Sequence, residues 1–367
     1  MDEHALTERL ISYDTSSPDG IRKAAGFVKG WLESRDIPVE ELDVRGLPLL
    51  AATAGVGEGP RIVLHGHLDV VPAREEQFRP RVEGDRIYGR GAYDMKVALA
   101  AMMGAVQELR DAPDVAVLLA IVPDEESEEE VDRGTDVLIR NGFSGDFAIT
   151  GEPTDLHIGV QAKGVLALRL QVAGTAAHGS TPWLGDNAIL KALDVFRAIE
   201  TLPFARESSD LFDRPSINLG RILGGDALNK VPDSCAIDVD IRYLPGQDPG
   251  EIKAQVGDLE SVTVVAQFHR MPAIVERNNP FVSVLSECAG KLLDTETISV
   301  GRDGASDAIC FLEAGVPAVE FGPLGAGHHG PAEWVSLSSL TGYKRALVEF
   351  VRLIPKRLTG APHLRIA

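Results

Sequence analysis

Histidine and carboxylate side chains recur in short segments along the sequence, and the first such segment contains His67 and Asp69. It follows the apolar residues 62–64, which are predicted to form a strand. A single histidine here would ordinarily be structural, but a carboxylate two residues away could orient or polarise a metal-bound imidazole. His65 competes with His67, and strand alternation is expected to turn its side chain to the opposite side. His67 beside Asp69 is therefore a candidate metal ligand, with His65 as its competitor.

Asp94 follows the glycine-containing residues 89–93 and precedes residues 96–109, an Ala- and Met-rich stretch predicted to be a helix. An aspartate at such a junction commonly caps the helix N-terminus. Its two carboxylate oxygens could equally bridge two divalent ions, and the glycines would allow the backbone to approach the site closely. Capping and bridging are both compatible with the sequence at this point.

Glu125 and Glu126 begin an acidic run directly after the apolar residues 115–122, in which seven of the nine residues from 124 to 132 are acidic. A solvated loop explains much of such a run. These two glutamates come at the end of a buried strand, however, where adjacent carboxylates repel each other unless a metal or a proton neutralises one. One glutamate could therefore bind a metal while its neighbour takes a proton.

Glu152 and the adjacent pair His328 and His329 also follow predicted strands, at residues 147–149 and 317–321. Open parallel sheets place their sites at the carboxyl ends of the strands, so these segments are expected to converge with the earlier ones. Nitrogen and oxygen ligands without a thiolate suit Zn²⁺, with Co²⁺ or Mn²⁺ as substitutes.

The pattern of the elements predicts an α/β fold in two parts. Strands alternate with helices over residues 1–162 and 271–367, which indicates a mainly parallel central sheet flanked by helices. Residues 163–270 instead follow the order strand, helix, two strands, helix, strand, which is typical of a ferredoxin-like α+β domain. The sequence therefore predicts a discontinuous catalytic domain with an inserted lid or dimerisation domain.

Composition limits the partners and the compartment. The chain has 55 acidic and 36 basic residues and a net charge of -19, which argues against binding to nucleic acid or an anionic membrane. Its three cysteines show no close spacing, no apolar run reaches the ~18 residues of a membrane span, and the N-terminus lacks the order of a signal peptide. We expect a soluble, cytoplasmic protein.

Taken together and in order, the motifs resemble those of the aminoacylase, acetylornithine deacetylase, succinyl-diaminopimelate desuccinylase and glutamate carboxypeptidase family. The segments that carry the resemblance are GHLDVVP (66–72), GRGAYDMK (89–96), DEE (124–126), GEP (151–153) and HGPAE (329–333). It extends into the inserted domain through residues 174–180, 224–225, 229–232 and 240–245, and so covers nearly the whole chain.

The resemblance implies a site with two Zn²⁺ ions in the first domain. Asp94 would bridge the ions, His67 and Glu152 would complete one site, and Glu126 and His329 would complete the other.

His329 is preferred to His328 because the family pattern places the metal histidine two residues before a proline and four before a glutamate. Pro331 and Glu333 match these positions. His328 stays open as the alternative ligand.

The resemblance also assigns catalytic and substrate-binding residues. Glu125 becomes the general base, with Asp69 beside it in the catalytic group, and His178 reaches across a homodimer to the reacting carbonyl. Arg242 grips a substrate carboxylate, and Asn229 and Ser306 complete the substrate-binding set. From residue type alone, His178 would be a surface loop histidine and Arg242 an exposed strand arginine.

Four positions depart from the family pattern without removing a metal ligand. Val97 and Ser127 stand where the family usually has glycine, Ala332 replaces the common Asp or Asn, and Ile309 stands where arginine is frequent. Ile309 lies near the expected substrate loop, so it weakens assignment to any one substrate within the family.

The expected function is hydrolysis of an amide bond in a small N-acyl amino acid, through a metal-bridging water and a glutamate general base. The alternative is a carboxypeptidase or dipeptidase that acts on short peptides. A serine or cysteine nucleophile is disfavoured because no Gly-x-Ser-x-Gly turn or suitably placed cysteine occurs. A catalytically silent scaffold would show loss of Glu125 or of a ligand, and all are present.

Overall fold

The computed structural model describes residues 3–57, 59–127, 133–293 and 299–358. The chain forms two compact units, one of Met1–Val160, Val275–Val300 and Ser306–Ala367, and one of Gln161–Ile274 and Gly301–Ala305. Residues 301–305 were predicted to lie in the catalytic domain. They belong instead to the second unit, where the carbonyl oxygen of Arg302 accepts a hydrogen bond from the Lys163 N–H and Asp303 pairs with the Lys163 ammonium.

The described helices are α1 (Glu3–Ile11), α2 (Pro18–Glu33), α3 (Val97–Glu108), α4 (Gly134–Arg140), α5 (Ala188–Ile199), α6 (Pro249–Gly257), α7 (Pro280–Leu293), α8 (Ala308–Glu313) and α9 (Leu337–Leu358). The strands are β1 (Val39–Val44), β2 (Leu47–Ala54), β3 (Arg61–His67), β4 (Arg81–Glu83), β5 (Arg86–Tyr88), β6 (Ala116–Val122), β7 (Phe147–Thr150), β8 (Ile158–Ala162), β9 (Gly164–Ala173), β10 (Ser216–Gly224), β11 (Ser234–Tyr243), β12 (Val262–Arg270), β13 (Ala273–Ile274), β14 (Ser299–Arg302), β15 (Ala318–Glu320), β16 (Gly325–Ala326) and β17 (Trp334–Ser336).

The central sheet of the first unit has the strand order β1-β2-β6-β3-β7-β15-β8. Its centre is parallel, since β3 pairs in parallel with both β6 and β7, and β7 pairs in parallel with β15. The outer pairs β1-β2, β2-β6 and β15-β8 are antiparallel. Strands β6 and β7 are almost entirely buried, as expected for a sheet covered on both faces. The predicted α/β fold with a mainly parallel centre is confirmed.

Helices pack against this sheet and against one another. α3 is buried on almost every side because it packs against α1, α9 and β3, and its Ala and Met side chains allow that close packing. α2 begins at Pro18. The side chain of Ser17 accepts a hydrogen bond from the Gly20 N–H at 3.2 Å, and a proline at the first helical position lacks the N–H that would go unpaired there.

A separate four-stranded antiparallel sheet, of order β16-β17-β5-β4, was not predicted. Its strands contain only two or three residues each, which is too short for an alternating pattern to be visible in the sequence. Strand β17 pairs with β5 through Val335 and Ile87. This pairing places the loop after β5 beside the loop between β16 and β17.

The second unit has the antiparallel sheet order β10-β11-β9-β12 with α5 and α6. The chain order β9, α5, β10, β11, α6, β12 is the predicted ferredoxin-like order. Alternate residues of β9 and β11 are buried against the two helices, with Leu168, Leu170, Ile237 and Val239 at the centre of that core.

The described residues include all three cysteines, which are buried and form no disulfide. Among those residues, no helix combines the length and the apolar character that crossing a membrane would require.

Candidate metal centre

His67 is the last residue of β3 and is fully buried. Its Nδ1 donates to the carbonyl oxygen of Asp69 at 2.9 Å, and its Nε2 lies 3.2 Å from Oδ1 of Asp94. Because Nδ1 is engaged by a carbonyl, Nε2 is the nitrogen available to a metal ion. Burial lowers the pKa of His67, but the carboxylates of Asp69 and Asp94 outweigh burial and raise this pKa well above its ordinary value.

Asp94 lies in an irregular turn before α3, where its backbone is extended at φ -126° and ψ 96°. The helix itself begins at Val97 without a side-chain cap, so Asp94 is not the helix cap that its position suggested. Its Oδ1 faces His67, and its Oδ2 lies 3.4 Å from Nε2 of His329. Although burial opposes it, hydrogen bonding to these two histidines lowers the pKa of Asp94 below its usual range. The two oxygens of the Asp94 carboxylate therefore contact two different imidazoles, those of His67 and His329.

Close packing brings Asp94 to the strand ends. A Cβ on Gly66 would lie 2.6 Å from the terminal methyl carbon of Met95, and a Cβ on Gly151 would lie 2.5 Å from the same atom. The two glycines, at the carboxyl ends of β3 and β7, therefore leave the space that the Asp94 turn occupies.

His329 lies in the loop between β16 and β17, and its Nε2 is 2.9 Å from Oε1 of Glu126. Hydrogen bonding to Asp94 and Glu126 raises the pKa of His329 to about 10. His328 contacts the ring of Tyr93, with 5.9 Å between centroids, and no carboxylate of this group is among its contacts in the described residues. The geometry therefore favours His329 over His328. The loop also differs from the sequence expectation, since His329 is positioned by the small antiparallel sheet and not by the end of β15.

Glu333 connects the two loops that β17 and β5 bring together. Its carboxylate accepts hydrogen bonds from the backbone N–H groups of Gly91, Tyr93 and Asp94, at 2.9 to 3.1 Å. Arg90 donates to the same carboxylate at 2.6 Å and to the carbonyl oxygen of His329 at 3.0 Å. Both side chains are buried. In the sequence, Glu333 served only to locate the metal histidine; in the structure, its hydrogen bonds hold the turn that contains Asp94.

Asp69 fixes the turn that contains the two adjacent glutamates. Its carboxylate accepts hydrogen bonds from the N–H of Glu125 at 3.2 Å and from the N–H of Glu126 at 2.8 Å. The side chains then have different partners, because Glu126 faces His329 while Oε1 of Glu125 lies 3.8 Å from Nη1 of Arg133. Burial raises the pKa of Glu125 to about 8. A glutamate with a raised pKa is suited to accept and return a proton near neutral pH.

Glu152 lies two residues beyond β7 and is buried. Burial and the nearby charges of Asp94 and Glu125 raise its pKa well above the usual range. Its Oε1 has no hydrogen-bond partner among the described residues, which is costly for a buried polar atom. One ligand atom from each of His67, Asp94 and Glu126 lies within 4.8 Å of the others. A divalent cation would neutralise this crowded set of carboxylates, so the residues fit a metal.

His65 belongs to a different cluster. Its Nε2 lies 2.8 Å from the hydroxyl of Thr135, which donates to Asp307 at 2.6 Å. Alternation does not separate it from His67, because residues two positions apart lie on the same face of a strand. The two histidines have different partners, because His67 ends β3 and contacts Asp94, whereas His65 lies two residues earlier in β3 and contacts Thr135. Burial lowers the pKa of His65 to about 4, so this ring is neutral at pH 7.

Three of the expected substrate residues lie in the second unit. His178 is exposed, and its Nδ1 accepts a hydrogen bond from the Ser180 N–H at 3.1 Å. Asn229 is exposed on the adjacent segment, where its carbonyl oxygen accepts from the Gly179 N–H at 2.7 Å. Arg242 is half-buried, and its Nε lies 3.0 and 3.1 Å from the two carboxylate oxygens of Asp240. His178 and Asn229 are thus neighbours, and Arg242 already has one carboxylate partner.

Ser306 lies in the first unit and is buried. Its hydroxyl donates to Oε1 of Glu320 at 2.7 Å. Its contacts in the structure are therefore with the protein's own carboxylate.

Comparison with known proteins identifies the family. The family model described as peptidase family M20/M25/M40 matches residues 63–353. The chain belongs to this family. A succinyl-diaminopimelate desuccinylase from Stenotrophomonas maltophilia is 29% identical over 380 residues, which cover 94% of this chain and 97% of that protein.

Two solved structures are similar to this M20/M25/M40 peptidase over almost its full length. A tripeptidase from Staphylococcus aureus has a TM-score of 0.79 at 21% identity and covers 97% of this chain and 99% of its own. A metallo-carboxypeptidase of the M20 family from Sulfolobus solfataricus has a TM-score of 0.78 at 21% identity, covering 97% of this chain and 100% of its own. At that identity the two structures show a shared fold. Family membership confirms the resemblance read from the motifs and makes the protein an amide-bond hydrolase.

Proposed function

We propose that the protein is a two-zinc hydrolase that cleaves the amide bond of a small N-acylated amino acid. The observation that carries the proposal is the Asp94 carboxylate, whose two oxygens face His67 and His329 at 3.2 and 3.4 Å. A carboxylate shared between two imidazoles is the arrangement that a bridging ligand requires. The named activity of the Stenotrophomonas maltophilia relative, a desuccinylase, supports an N-acyl amino acid as the substrate class.

The proposed ligands divide into two sets around Asp94. His67 and Glu152 would hold one ion, and Glu126 and His329 would hold the other. The partnerless oxygen of buried Glu152 supports its place in the first set. Imidazole and carboxylate donors without thiolate are compatible with Zn²⁺, and Co²⁺ or Mn²⁺ would be accepted by the same donors.

The metal ions, when bound, would lower the pKa of a water molecule and polarise the acyl carbonyl of the substrate. Glu125 is assigned the proton chemistry, because its side chain faces Arg133 while Glu126 makes the contact with His329. It takes the proton of the attacking water and hands it to the leaving nitrogen. Asp69 keeps Glu125 and Glu126 in a fixed turn through their backbone N–H groups.

The second unit supplies the proposed substrate contacts. Nδ1 of His178 is occupied by the Ser180 N–H, so Nε2 is the nitrogen that would donate, across the proposed homodimer, to the reacting carbonyl of a substrate bound by the other copy. Arg242 would bind a substrate carboxylate, with Asn229 as a further polar contact. Ser306 is the remaining proposed substrate-binding residue, and its hydroxyl donates to Glu320 in the structure.

A homodimer is proposed through the second unit. Leu190 and Leu193 are 60% and 43% exposed on α5, and Ile222 and Leu223 are 40% and 56% exposed on β10. β10 is an edge strand of its sheet. Unpaired strand edges and apolar side chains on one unit support pairing with a second copy.

The test is a metal and substrate assay on the purified full chain. After dialysis against zinc, elemental analysis should give two ions per chain, and removal of metal by a chelator should abolish hydrolysis. A stoichiometry below one ion, with activity unaffected by the chelator, would overturn the proposal.

The substrate panel separates the two candidate activities. N-succinyl, N-acetyl and N-formyl amino acids should be hydrolysed faster than a panel of dipeptides. The reverse order would replace the N-acyl assignment with a carboxypeptidase or dipeptidase activity while leaving the two-metal chemistry in place.

A further inference from the structure

Glu125 and Glu126 are chemically identical neighbours in one turn, and both N–H groups are held by the same Asp69 carboxylate. A metal site next to two flexible carboxylates would attract both of them. If the general base bound a metal, its oxygens could no longer take a proton from water. A contact that acts on only one of the two side chains is therefore needed.

Arg133 provides a contact of this kind. It immediately precedes α4, and its side chain is only 11% exposed. Nη1 lies 2.8 Å from Oδ1 of Asp307 and 3.8 Å from Oε1 of Glu125. Glu126, in contrast, has His329 as its partner. The guanidinium therefore pairs with the carboxylate that must stay available and not with the one proposed to bind metal.

The Arg133 guanidinium is itself held in place by Asp307, on which further residues act. Asp307 is fully buried, and its second oxygen accepts a hydrogen bond from Thr135 at 2.6 Å. The hydroxyl of Thr135 lies 2.8 Å from Nε2 of His65 in β3. Both oxygens of Asp307 are thus occupied, which fixes the carboxylate that anchors Arg133. A planar guanidinium can face two carboxylates at once, whereas an ammonium is a point charge on a flexible stem.

We propose that Arg133, anchored by Asp307, is a positioning residue that keeps the Glu125 carboxylate away from the metal ligands and available to the attacking water. The inference rests on the proposed function, in which Glu125 is the general base. The alternative explanation is that Arg133 only neutralises Asp307 in the core. The two explanations differ in whether Arg133 acts through Glu125.

A double-mutant cycle on the zinc-loaded full chain tests this difference. R133Q should lower kcat for an N-succinyl amino acid by about 10²-fold, within the range that general-base catalysis contributes, with KM and zinc content unchanged. R133K should recover about tenfold of the loss because it restores the positive charge. The double variant R133Q/E125Q should be no slower than E125Q alone, since two residues that act through one group are not additive.

R169Q is the matched control, because it removes an arginine that pairs with Asp238 in the second unit and should leave kcat unchanged. Wild-type kcat in R133Q, or losses that add in the double variant, would overturn the proposal. If R133Q does not fold, R133K takes its place in the cycle with the same two outcomes. Unchanged turnover in E125Q would instead contradict the proposed function itself.

A measurement without turnover gives a second test. In the Co²⁺-loaded protein, d–d absorption weakens as the coordination number rises. R133Q should show weaker absorption than the wild type because Glu125 is released to bind metal, and R133Q/E125Q should recover the wild-type spectrum. Identical spectra in R133Q and the wild type would show that Arg133 does not hold Glu125 away from the metal.

Discussion

Oε1 of Glu126 lies 2.9 Å from Nε2 of His329, although 203 residues separate them in the chain. The contact depends on two different parts of the first unit, the end of β6 and the loop between β16 and β17. A carboxylate and an imidazole at this distance can share a proton, and a cation bound by both atoms would replace that proton. The pair therefore marks one side of the proposed two-metal site.

The different partners of Glu125 and Glu126 predict different losses on substitution. E126Q should remove one of the two metal ions, because an amide oxygen is a weaker ligand than a carboxylate. E125Q should retain both ions and lose about 10² to 10⁴-fold in turnover, since proton transfer alone is removed. Elemental analysis after dialysis, combined with kcat, measures both effects. Metal loss in E125Q together with full occupancy in E126Q would reverse the assignment.

The two adjacent histidines provide a matched pair of variants. H329A should lose one metal ion, because Nε2 of His329 contacts Glu126 and Asp94. H328A should keep both ions, since the ring of His328 packs beside Tyr93. Calorimetric titration of the metal-free proteins with zinc counts the sites in each. Loss of an ion in H328A but not in H329A would make His328 the ligand.

The sequence could predict the site as far as each ligand belonged to a local pattern. Asp94 marks the limit of prediction from local sequence, because a carboxylate before a helix is compatible both with capping the helix and with bridging two metal ions. The structure separates them through distances to His67 and His329, and both residues are far away in the sequence. Buried strands such as β6 were predicted because their apolar runs are local.

Contacts between distant segments were not predictable from periodicity. Arg133 contacts Asp307 across 174 residues, and Arg90 contacts Glu333 across 243. Neither pair follows a local spacing, and the strands β5 and β17 that bring Arg90 and Glu333 together have three residues each. Arg133 stands beside an acidic run whose residues 128–132 lie outside the described residues. Its role as a partner of Glu125 was visible only once the fold was known.

The contacts between Asp85 and the residues at the start of α9 should make the free energy of unfolding depend on pH. Its carboxylate accepts hydrogen bonds from the Ser336 hydroxyl and from the Ser338 N–H and hydroxyl, at 2.6 to 2.9 Å. Hydrogen bonding to Ser336, followed by that to Ser338, lowers the pKa of Asp85. A carboxylate with a lowered folded-state pKa stabilises the fold above its unfolded pKa of ~3.9 and loses that contribution as the pH falls through the folded value.

D85N should therefore lower Tm at pH 7 by a few degrees at most, since Asp85 is exposed and the protein is large. The Tm difference between D85N and the wild type should shrink as the pH falls below ~4. Differential scanning calorimetry of the metal-free proteins from pH 7 to pH 3 measures it. D43N, at another exposed aspartate of the first unit, is the control. A difference that grows towards acid pH would contradict the assigned sign.

The proposed dimer predicts a change of mass on substitution of the exposed face of α5. The wild type should be a dimer at micromolar concentration by light scattering, and the double variant L190E/L193E should be a monomer because burying those charges would be costly. V56E is the matched control, since Val56 is 73% exposed in the first unit. A wild-type monomer, or a double variant that stays dimeric, would show that this face does not pair.

The last prediction concerns Arg242, whose Nε is held by both oxygens of Asp240 at 3.0 and 3.1 Å. The pairing uses Nε and so can orient the guanidinium while its terminal nitrogens bind a substrate carboxylate. R242A should lower kcat/KM by about 10²-fold, or ~3 kcal/mol, for substrates with a free carboxylate. For amidated analogues of the same substrates, kcat/KM should change far less, because they lack the negative charge that Arg242 is proposed to bind. R221A, at an exposed strand arginine of the same unit, should affect neither substrate type. Equal losses of kcat/KM on both substrate types in R242A would show that the Arg242–Asp240 pair shapes the second unit. No loss on either type would leave Arg242 in a surface ion pair that contributes ~1 kcal/mol or less to stability.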